Sequence, residues 1–297
     1  LPEMIVSIAA TVKGNVEMAA GNAIGSVTAN TAMIMGLFIV CMPFAVKRKD
    51  FAPKSLMMFG ASALLILGCI FTEQKQLEFV GETHNFYSLS TIGVILLLVV
   101  FIAFFIENFI SMKNASTQIE PSPDNIGLQE EDNIVPTKSN VAASDWVKNV
   151  VMFIVGAAAT VVGAQLLVNG GTVLAEDIGI PQRLISVIAI AIGTSLPELV
   201  TTITALRKKE GALSVGNILG ANIIDLTLIL PICSIISIIN GTGELAISVS
   251  SVMFDIMVCL GVIIIAVVPT IISQKFHRWQ GILLLLSYGI YVYFVVK

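Results

Sequence analysis

Apolar residues run along this chain in long blocks that polar residues rarely interrupt. Blocks of about 20 apolar residues match the ~30 Å hydrocarbon layer of a bilayer when wound as helix. They predict membrane-spanning helices near 17–45, 55–71, 90–111, 148–170, 182–206, 212–238, 246–269 and 280–296, preceded by a short apolar stretch, 1–12. The block 17–45 is long enough to be broken. Between 111 and 147 the pattern changes in kind: this stretch is polar, acidic and proline-containing, the composition of a flexible linker. The chain thus divides into a first membrane unit, 1–110, a linker, 111–147, and a second membrane unit, 148–297.

The polar positions inside the apolar blocks repeat. When the chain is moved by 195 residues, Leu1-Pro2-Glu3 falls on Leu196-Pro197-Glu198, Gly21-Asn22 on Gly216-Asn217, Gly25 on Gly220 and Asn30 on Asp225, with no gap. Nine of the first 25 positions are identical. Chance similarity between apolar segments would match leucines and valines; here Pro-Glu and Gly-Asn match, so the chain holds an internal duplication. The second unit has five spans, and an odd number places the two copies in opposite orientations across the membrane. Inverted repeats build transporters whose site lies between the copies near mid-membrane. By the same offset the counterpart of Trp146 would lie about 50 residues before Leu1. The expectation is therefore that an N-terminal helix and half of the next are missing from this chain.

Composition agrees: 56% of residues are hydrophobic and 12% charged, with a mean hydropathy of +0.93. Soluble domains carry about 25% charged residues, which leaves an integral multi-pass membrane protein. The net charge of -4 resides wholly in the linker, where Lys113 and Lys138 face six acids; the rest balances at 14 against 14. Nothing basic enough to hold nucleic acid is present. Cys41, Cys69, Cys233 and Cys259 lie in apolar runs without paired spacing and read as buried free thiols. The linker lacks an EF-hand pattern. With the linker in the cytoplasm, alternation puts 12 of the 16 basic residues inside, in "KRKD" (47–50), Lys54, "RKKE" (207–210), "KFHR" (275–278), the linker and Lys148. The positive-inside bias then predicts a cytoplasmic linker and an extracytoplasmic C-terminus, in a plasma membrane.

The candidate chemistry follows from what a bilayer tolerates. Glu3, Glu198 and Asp225 stand where mid-membrane would be, and each such acid costs ~2.5–3.5 kcal/mol or more, so a site is favoured over packing accident. In "GTSLPE", Pro197 withholds a backbone donor, and Gly193 with the hydroxyls of Thr194 and Ser195 lets the helix open. Asn217, Ala221 and Asp225 follow at i, i+4 and i+8, matched by Asn22, Ser26 and Asn30. Carboxylate, hydroxyl, amide and freed carbonyl are hard oxygen donors, suited to Ca²⁺ or Na⁺ and not to soft metals. Gly21-x-x-x-Gly25 and Gly216-x-x-x-Gly220 have the spacing that lets helices approach closely, a structural role that competes at least evenly with ligation. Asn22 and Asn217 read either as ligands, as direct supports of the site, or as interhelical hydrogen bonds. Asp255 has Gly60 opposite it in the first copy and reads equally as a cavity residue or a helix contact. Glu107 reads as interfacial, and His84 and His277 as loop residues.

At these positions the chain resembles the cation/calcium antiporter superfamily, specifically its sodium/calcium exchanger branch of prokaryotic type with two α-repeats. The repeat pattern G-T-S-x-P-E, then G-N-x-x-G-S-N-x-x-[DN], is met by Gly193-Thr194-Ser195-Leu196-Pro197-Glu198 and by Gly216-Asn217 through Asp225. The first copy gives Leu1-Pro2-Glu3 and Gly21-Asn22 through Asn30. The resemblance implies an all-α membrane protein, the ten-helix sodium/calcium-exchanger fold of two inverted five-helix repeats. It also implies that Glu3 and Glu198 hold Ca²⁺ centrally while Thr194, Ser195, Ser26, Asn30 and Asp225 line Na⁺ positions. Ala221 stands where the family usually has Ser. Function is then expected to be antiport: Ca²⁺ leaves by alternating access against entering Na⁺, with no cofactor and no enzymatic reaction. The same scaffold coupled to H⁺ or another cation is the nearest alternative. An intramembrane hydrolase built on Glu198 and Ser195 sits poorly with two symmetric acids, and a channel would pass Ca²⁺ without an exchange partner.

Overall fold

The computed structural model describes residues 2–72, 75–79, 82–117, 190–241, 243–249 and 251–296, together with parts of 147–173. Its helices are α1 (Pro2–Val12), α2 (Val16–Thr28), α3 (Met35–Cys41), α4 (Arg48–Ile70), α5 (Thr91–Thr117), α6 (Ala191–Thr194), α7 (Leu196–Lys208), α8 (Gly211–Ile224), α9 (Leu230–Ile239), α10 (Ile256–Ser273) and α11 (Arg278–Val296). Three wider π-helical turns, Ala29–Ile34, Asp225–Ile229 and Ser251–Asp255, join α2 to α3, α8 to α9 and lead into α10. With these turns counted in, five helices are long and apolar enough to cross a membrane: Val16–Cys41, Arg48–Ile70, Thr91–Lys113, Gly211–Ile239 and Ser251–Ser273. They match five expected spans, and α11 occupies a sixth. The described residues of 148–170 are helical; 182–189 and 118–146 lie outside the described residues. Helix α5 runs seven residues into the stretch expected to be linker, where Ser111 Oγ donates to Glu107 Oε1 one turn earlier at 3.1 Å.

The duplication reappears in the backbone. Gly14, at φ +80°, ends α1, and Asn15 then caps α2 by accepting from Met18 N at 3.0 Å. The residue 195 positions on is Lys209, which closes α7 in the same left-handed region at φ +60°. The π turns at Ala29–Ile34 and Asp225–Ile229 end at the same offset and start within one residue of it. In the first, Met35 N donates to Asn30 O, a five-residue reach that fits one more residue into the turn than an α-helix holds.

A small sheet adds to the helical design. β1 (Lys75–Phe79) pairs antiparallel with β2 (Glu82–Ser88), and β2 with β3 (Ala246–Ser248), Phe86 standing between Lys75 and Ser248. It ties the first membrane unit to the second, and Leu89 N donates to Leu245 O at 2.9 Å beside it. At the opposite end Val46 N donates to Gln274 O and Phe276 N to Phe44 O, both at 2.9 Å. Phe38, Phe44, Phe51 and Phe276 pack there edge to face and tilted. The N-terminus of α11 is closed by Gln280, which accepts from His277 N at 2.8 Å and donates to Thr270 Oγ1 at 2.9 Å.

The outer faces are apolar. Along α5, Ile92, Val99, Ile102, Phe105 and Phe109 are exposed, as a lipid-facing helix requires. The core between the helices is close-packed, with α2 buried nearly all round. Cys69, Cys233 and Cys259 are buried free thiols as expected, whereas Cys41 is exposed, since the last turn of α3 leaves the bundle. The close helix approach expected at Gly216 and Gly220 does not occur among the described residues: a Cβ at Gly216 would meet nothing within 4 Å, and one at Gly220 would rest on Phe104 at 3.7 Å. It occurs elsewhere, between Gly36 and Gly281, where a Cβ on Gly281 would stand 2.6 Å from the Gly36 carbonyl oxygen.

Candidate ion site

The helix expected to break at "GTSLPE" does break. α6 ends at Thr194, Ser195 leaves helical geometry at φ -86°, ψ 4°, and α7 starts at Leu196 with Pro197 in its first turn. Proline has no N–H, so the carbonyl of Gly193 loses the donor that would have met it four residues on. Thr194 and Ser195 are buried at this break.

Around it the two copies interlock. Ser26 Oγ lies 3.2 Å from Thr194 Oγ1. Thr194 Oγ1 is also 3.3 Å from Asn22 Oδ1 and 3.1 Å from the Ala191 carbonyl, either of which accepts its one proton. Asn22 spends its NH₂ on the Glu3 carbonyl at 3.1 Å and on Ser7 Oγ at 2.9 Å; Ser7 in turn donates to Ala19 O at 3.1 Å. This braces α1 against α2 directly beside Glu3. Asn22 thereby supports the site through both ends of its amide.

The acids come from three elements. Glu3, in the first turn of α1, is 3% exposed, and Asp225, at the start of the π turn after α8, 4%. Glu198, in the first turn of α7, is half-buried. The three carboxylates lie within electrostatic reach of one another: Glu198 acts on Glu3, and both act on Asp225. Among the described residues no three Asp, Glu, His or Cys side chains converge tightly enough to enclose a metal unaided. An ion here would be shared with hydroxyls, amides and carbonyls. Several such oxygens await a partner: Asn30 Oδ1, Ser195 Oγ, Glu198 Oε2 and Asp225 Oδ2 are buried and meet no hydrogen-bond donor among the described residues. Buried polar atoms in native proteins are almost always satisfied, and a cation is one partner that would satisfy this set of oxygens together.

Of the residues expected from sequence, Glu3, Ser26, Asn30, Thr194, Ser195, Asp225 and Asn22 are buried at the contact between the copies, with Glu198 at its edge. Asn217 is not brought in. It lies at the surface of the described residues and donates to Thr201 Oγ1 at 3.3 Å, linking α8 to α7. Asn217 falls on the face of α8 left exposed among the described residues, whereas its counterpart Asn22 lies on α2, which is buried nearly all round. Sequence reasoning passed over Asn222, which is buried and hydrogen-bonded to Asn30, and Ser7. Asn222 stands opposite Val27 in the repeat, so the duplication did not point to it. Asp255 is a helix contact: its Oδ1 accepts from Tyr291 OH on α11 at 3.1 Å, and both are buried.

Comparison with known proteins decides the family. The family model described as "Sodium/calcium exchanger protein" matches residues 1–107 and 148–297, both membrane units. The chain belongs to the sodium/calcium exchanger family. It is an integral membrane antiporter of helical design. The exchanger is 25% identical to the sodium/calcium exchanger MaX1 of Methanosarcina acetivorans over 97% of its own length and 83% of that protein. It superposes on a structure of the sodium-calcium exchanger NCX_Mj soaked with Na⁺ and Sr²⁺ with a TM-score of 0.65 at 26% identity, covering 99% of the exchanger and 81% of that chain. The H⁺/Ca²⁺ exchanger CAX shares the fold, with a TM-score of 0.68 at 14% identity over 100% and 74% of the two chains.

Proposed function

We propose that the exchanger moves Ca²⁺ out of the cell against Na⁺ entering down its gradient, by alternating access around the site between the two copies. The observation that carries this reading is the set of orphaned, buried hard oxygens of Ser195 and Glu198 at the helix break and of Asn30 and Asp225 in the two π turns, together with the buried carboxylate of Glu3. One divalent ion or several monovalent ions can neutralise such a set. An empty site would leave several carboxylates uncompensated in a low-dielectric interior, and that penalty opposes the return of the unloaded carrier. Coupling is the consequence. Glu3 and Glu198 hold Ca²⁺; Ser26, Asn30, Thr194, Ser195 and Asp225 line Na⁺ positions; Asn22 acts as a support. Ala221, on α8 one turn before Asp225, offers no hydroxyl, so the second copy supplies one oxygen fewer than the first copy does with Ser26.

For orientation we place the linker in the cytoplasm and the plasma membrane as the site of action. Supporting this, the connections at 44–47 and 274–276 meet at one end of the bundle, and Lys47 and Lys54 share a cavity of about 340 Å³ with Ala212 and Gly216. Basic residues therefore collect at one end, as cytoplasmic loops do.

The test is Ca²⁺ uptake into liposomes loaded with Na⁺. Uptake should collapse when internal Na⁺ is replaced by choline, and Glu198→Gln should abolish it. Uptake indifferent to Na⁺ and driven by a pH gradient would overturn the coupling ion. Full Na⁺-driven transport by Glu198→Gln would overturn the site.

A further inference from the structure

Asn30 has an ambiguity that a carboxylate lacks. One end of its amide is an oxygen that attracts a cation; the other is an NH₂ that repels it. In an empty site the neighbouring acids would draw the NH₂ inward, so something has to hold the amide the other way round.

We propose that Asn222 is the positioning residue that turns Asn30 so that its oxygen faces the ion site. Asn30 Nδ2 donates to Asn222 Oδ1 at 3.1 Å. Asn222 Nδ2 donates to Thr31 Oγ1 at 2.8 Å and to Met58 Sδ at 3.5 Å. The direction of this chain is fixed at its far end. A thioether has no proton to give, so Met58 receives only the NH₂ end of Asn222. That leaves the Asn222 oxygen toward Asn30, which must answer with its own NH₂ and so presents Oδ1, the buried oxygen with no hydrogen-bond partner among the described residues. All four residues are fully buried, so water cannot substitute for any link.

The arrangement is one-sided, and its asymmetry has a chemical reason. The position equivalent to Asn222 in the first copy is Val27, and the residue it would orient is Asp225. A carboxylate offers an oxygen whichever way it is turned and needs no such guide. The Asn at position 30 and the Asn at position 222 therefore form one device, divided between the copies.

This inference rests on the reading of Asn30 as a Na⁺ ligand, and the experiment separates the two. In proteoliposomes of the full-length exchanger, the half-saturating Na⁺ for Ca²⁺ exchange is measured for the wild type, Asn30→Ala, Asn222→Leu and the double variant. Asn222→Leu removes the acceptor and should raise half-saturation about 3- to 10-fold, the worth of one net hydrogen bond expressed as a loss of the competent orientation. In the Asn30→Ala background it should add nothing. Asn222→Asp keeps an acceptor for Asn30 and accepts from Thr31, so half-saturation should stay at or below the wild-type value. Should Asn222→Leu fail to fold, the near-isosteric pair Thr31→Val and Met58→Leu releases the far end instead and should also raise half-saturation. A half-saturation unchanged by these variants, or raised equally with and without Asn30, overturns the proposal. If Asn30→Ala itself leaves half-saturation unchanged, the ligand reading fails instead.

Discussion

Two glycines on α11 allow the tightest helix contact to be tested against its own control. A Cβ on Gly281 would lie 2.6 Å from the Gly36 carbonyl oxygen, 2.9 Å from Val40 N and 2.8 Å from Val40 Cγ2. Two of these three atoms are backbone and cannot rotate away. A Cβ on Gly289, eight residues along, would meet nothing within 4 Å. Contacts between carbon atoms are best near 3.5–4.0 Å, so Gly281→Ala must push α3 and α11 apart by roughly 0.5–1 Å. A gap of that size forfeits a quarter to a half of the dispersion energy of each contact it opens. Overpacking of this kind costs about 1–3 kcal/mol. Both substitutions also gain about 1 kcal/mol from replacing glycine by alanine within a helix. Gly289→Ala should therefore be neutral or stabilised by up to ~1 kcal/mol, while Gly281→Ala falls below it by about 1–3 kcal/mol, roughly 5- to 150-fold in the folding equilibrium. Equilibrium unfolding in mixed detergent micles, with both variants and the wild type side by side, reads this difference. Equal shifts for the two variants would refute the close approach, because helix propensity alone would then account for both.

Lys209 holds the left-handed conformation that glycine holds at the equivalent turn. Lys209→Gly should stabilise by about 0.5–1 kcal/mol and Gly14→Ala should destabilise by about 1–2 kcal/mol, both read from thermal unfolding in detergent. Tyr291→Phe deprives the buried Asp255 of a donor and should cost about 1–3 kcal/mol in stability while leaving half-saturating Na⁺ and Ca²⁺ unchanged. A shift in ion half-saturation without loss of stability would instead place Asp255 in the transport path.

Much of the design was legible because a bilayer punishes polar residues. Glu3, Glu198 and Asp225 stood out against apolar surroundings, and the offset that aligned them also aligned the turns at Gly14 and Lys209. The break at Ser195 followed from Pro197 and its neighbours. What escaped had physical reasons too. Asn217 matches Asn22 in the repeat, but α2 is enclosed nearly all round while α8 keeps an exposed face among the described residues, and a repeat in sequence does not reveal which copy its neighbours cover. Asn222 contributes through hydrogen-bond direction, a property that no spacing reveals. The sheet was hidden because Leu77 and Phe79 alternate over too few residues, in a polar connection between two spans, to signal a strand. The Gly36–Gly281 contact joins residues far apart in the chain, where no local motif marks it.

The paired π turns carry a consequence for chain length. Each holds one residue more than an α-helical turn, so removing a single residue from 29–34 or 225–229 would let an unbroken α-helix form in its place. The helix would survive, and hydropathy along the chain would look the same. Because the wide turn takes up its extra residue within a single turn, the helix beyond the deletion would keep nearly its original facing, and only residues inside the turn, Asn30 or Asp225 among them, would be turned aside. Among descendants of this chain, a one-residue gap at either turn would therefore mark a membrane protein that still inserts and packs but has lost the alignment of Asn30 or Asp225 with the opposite copy.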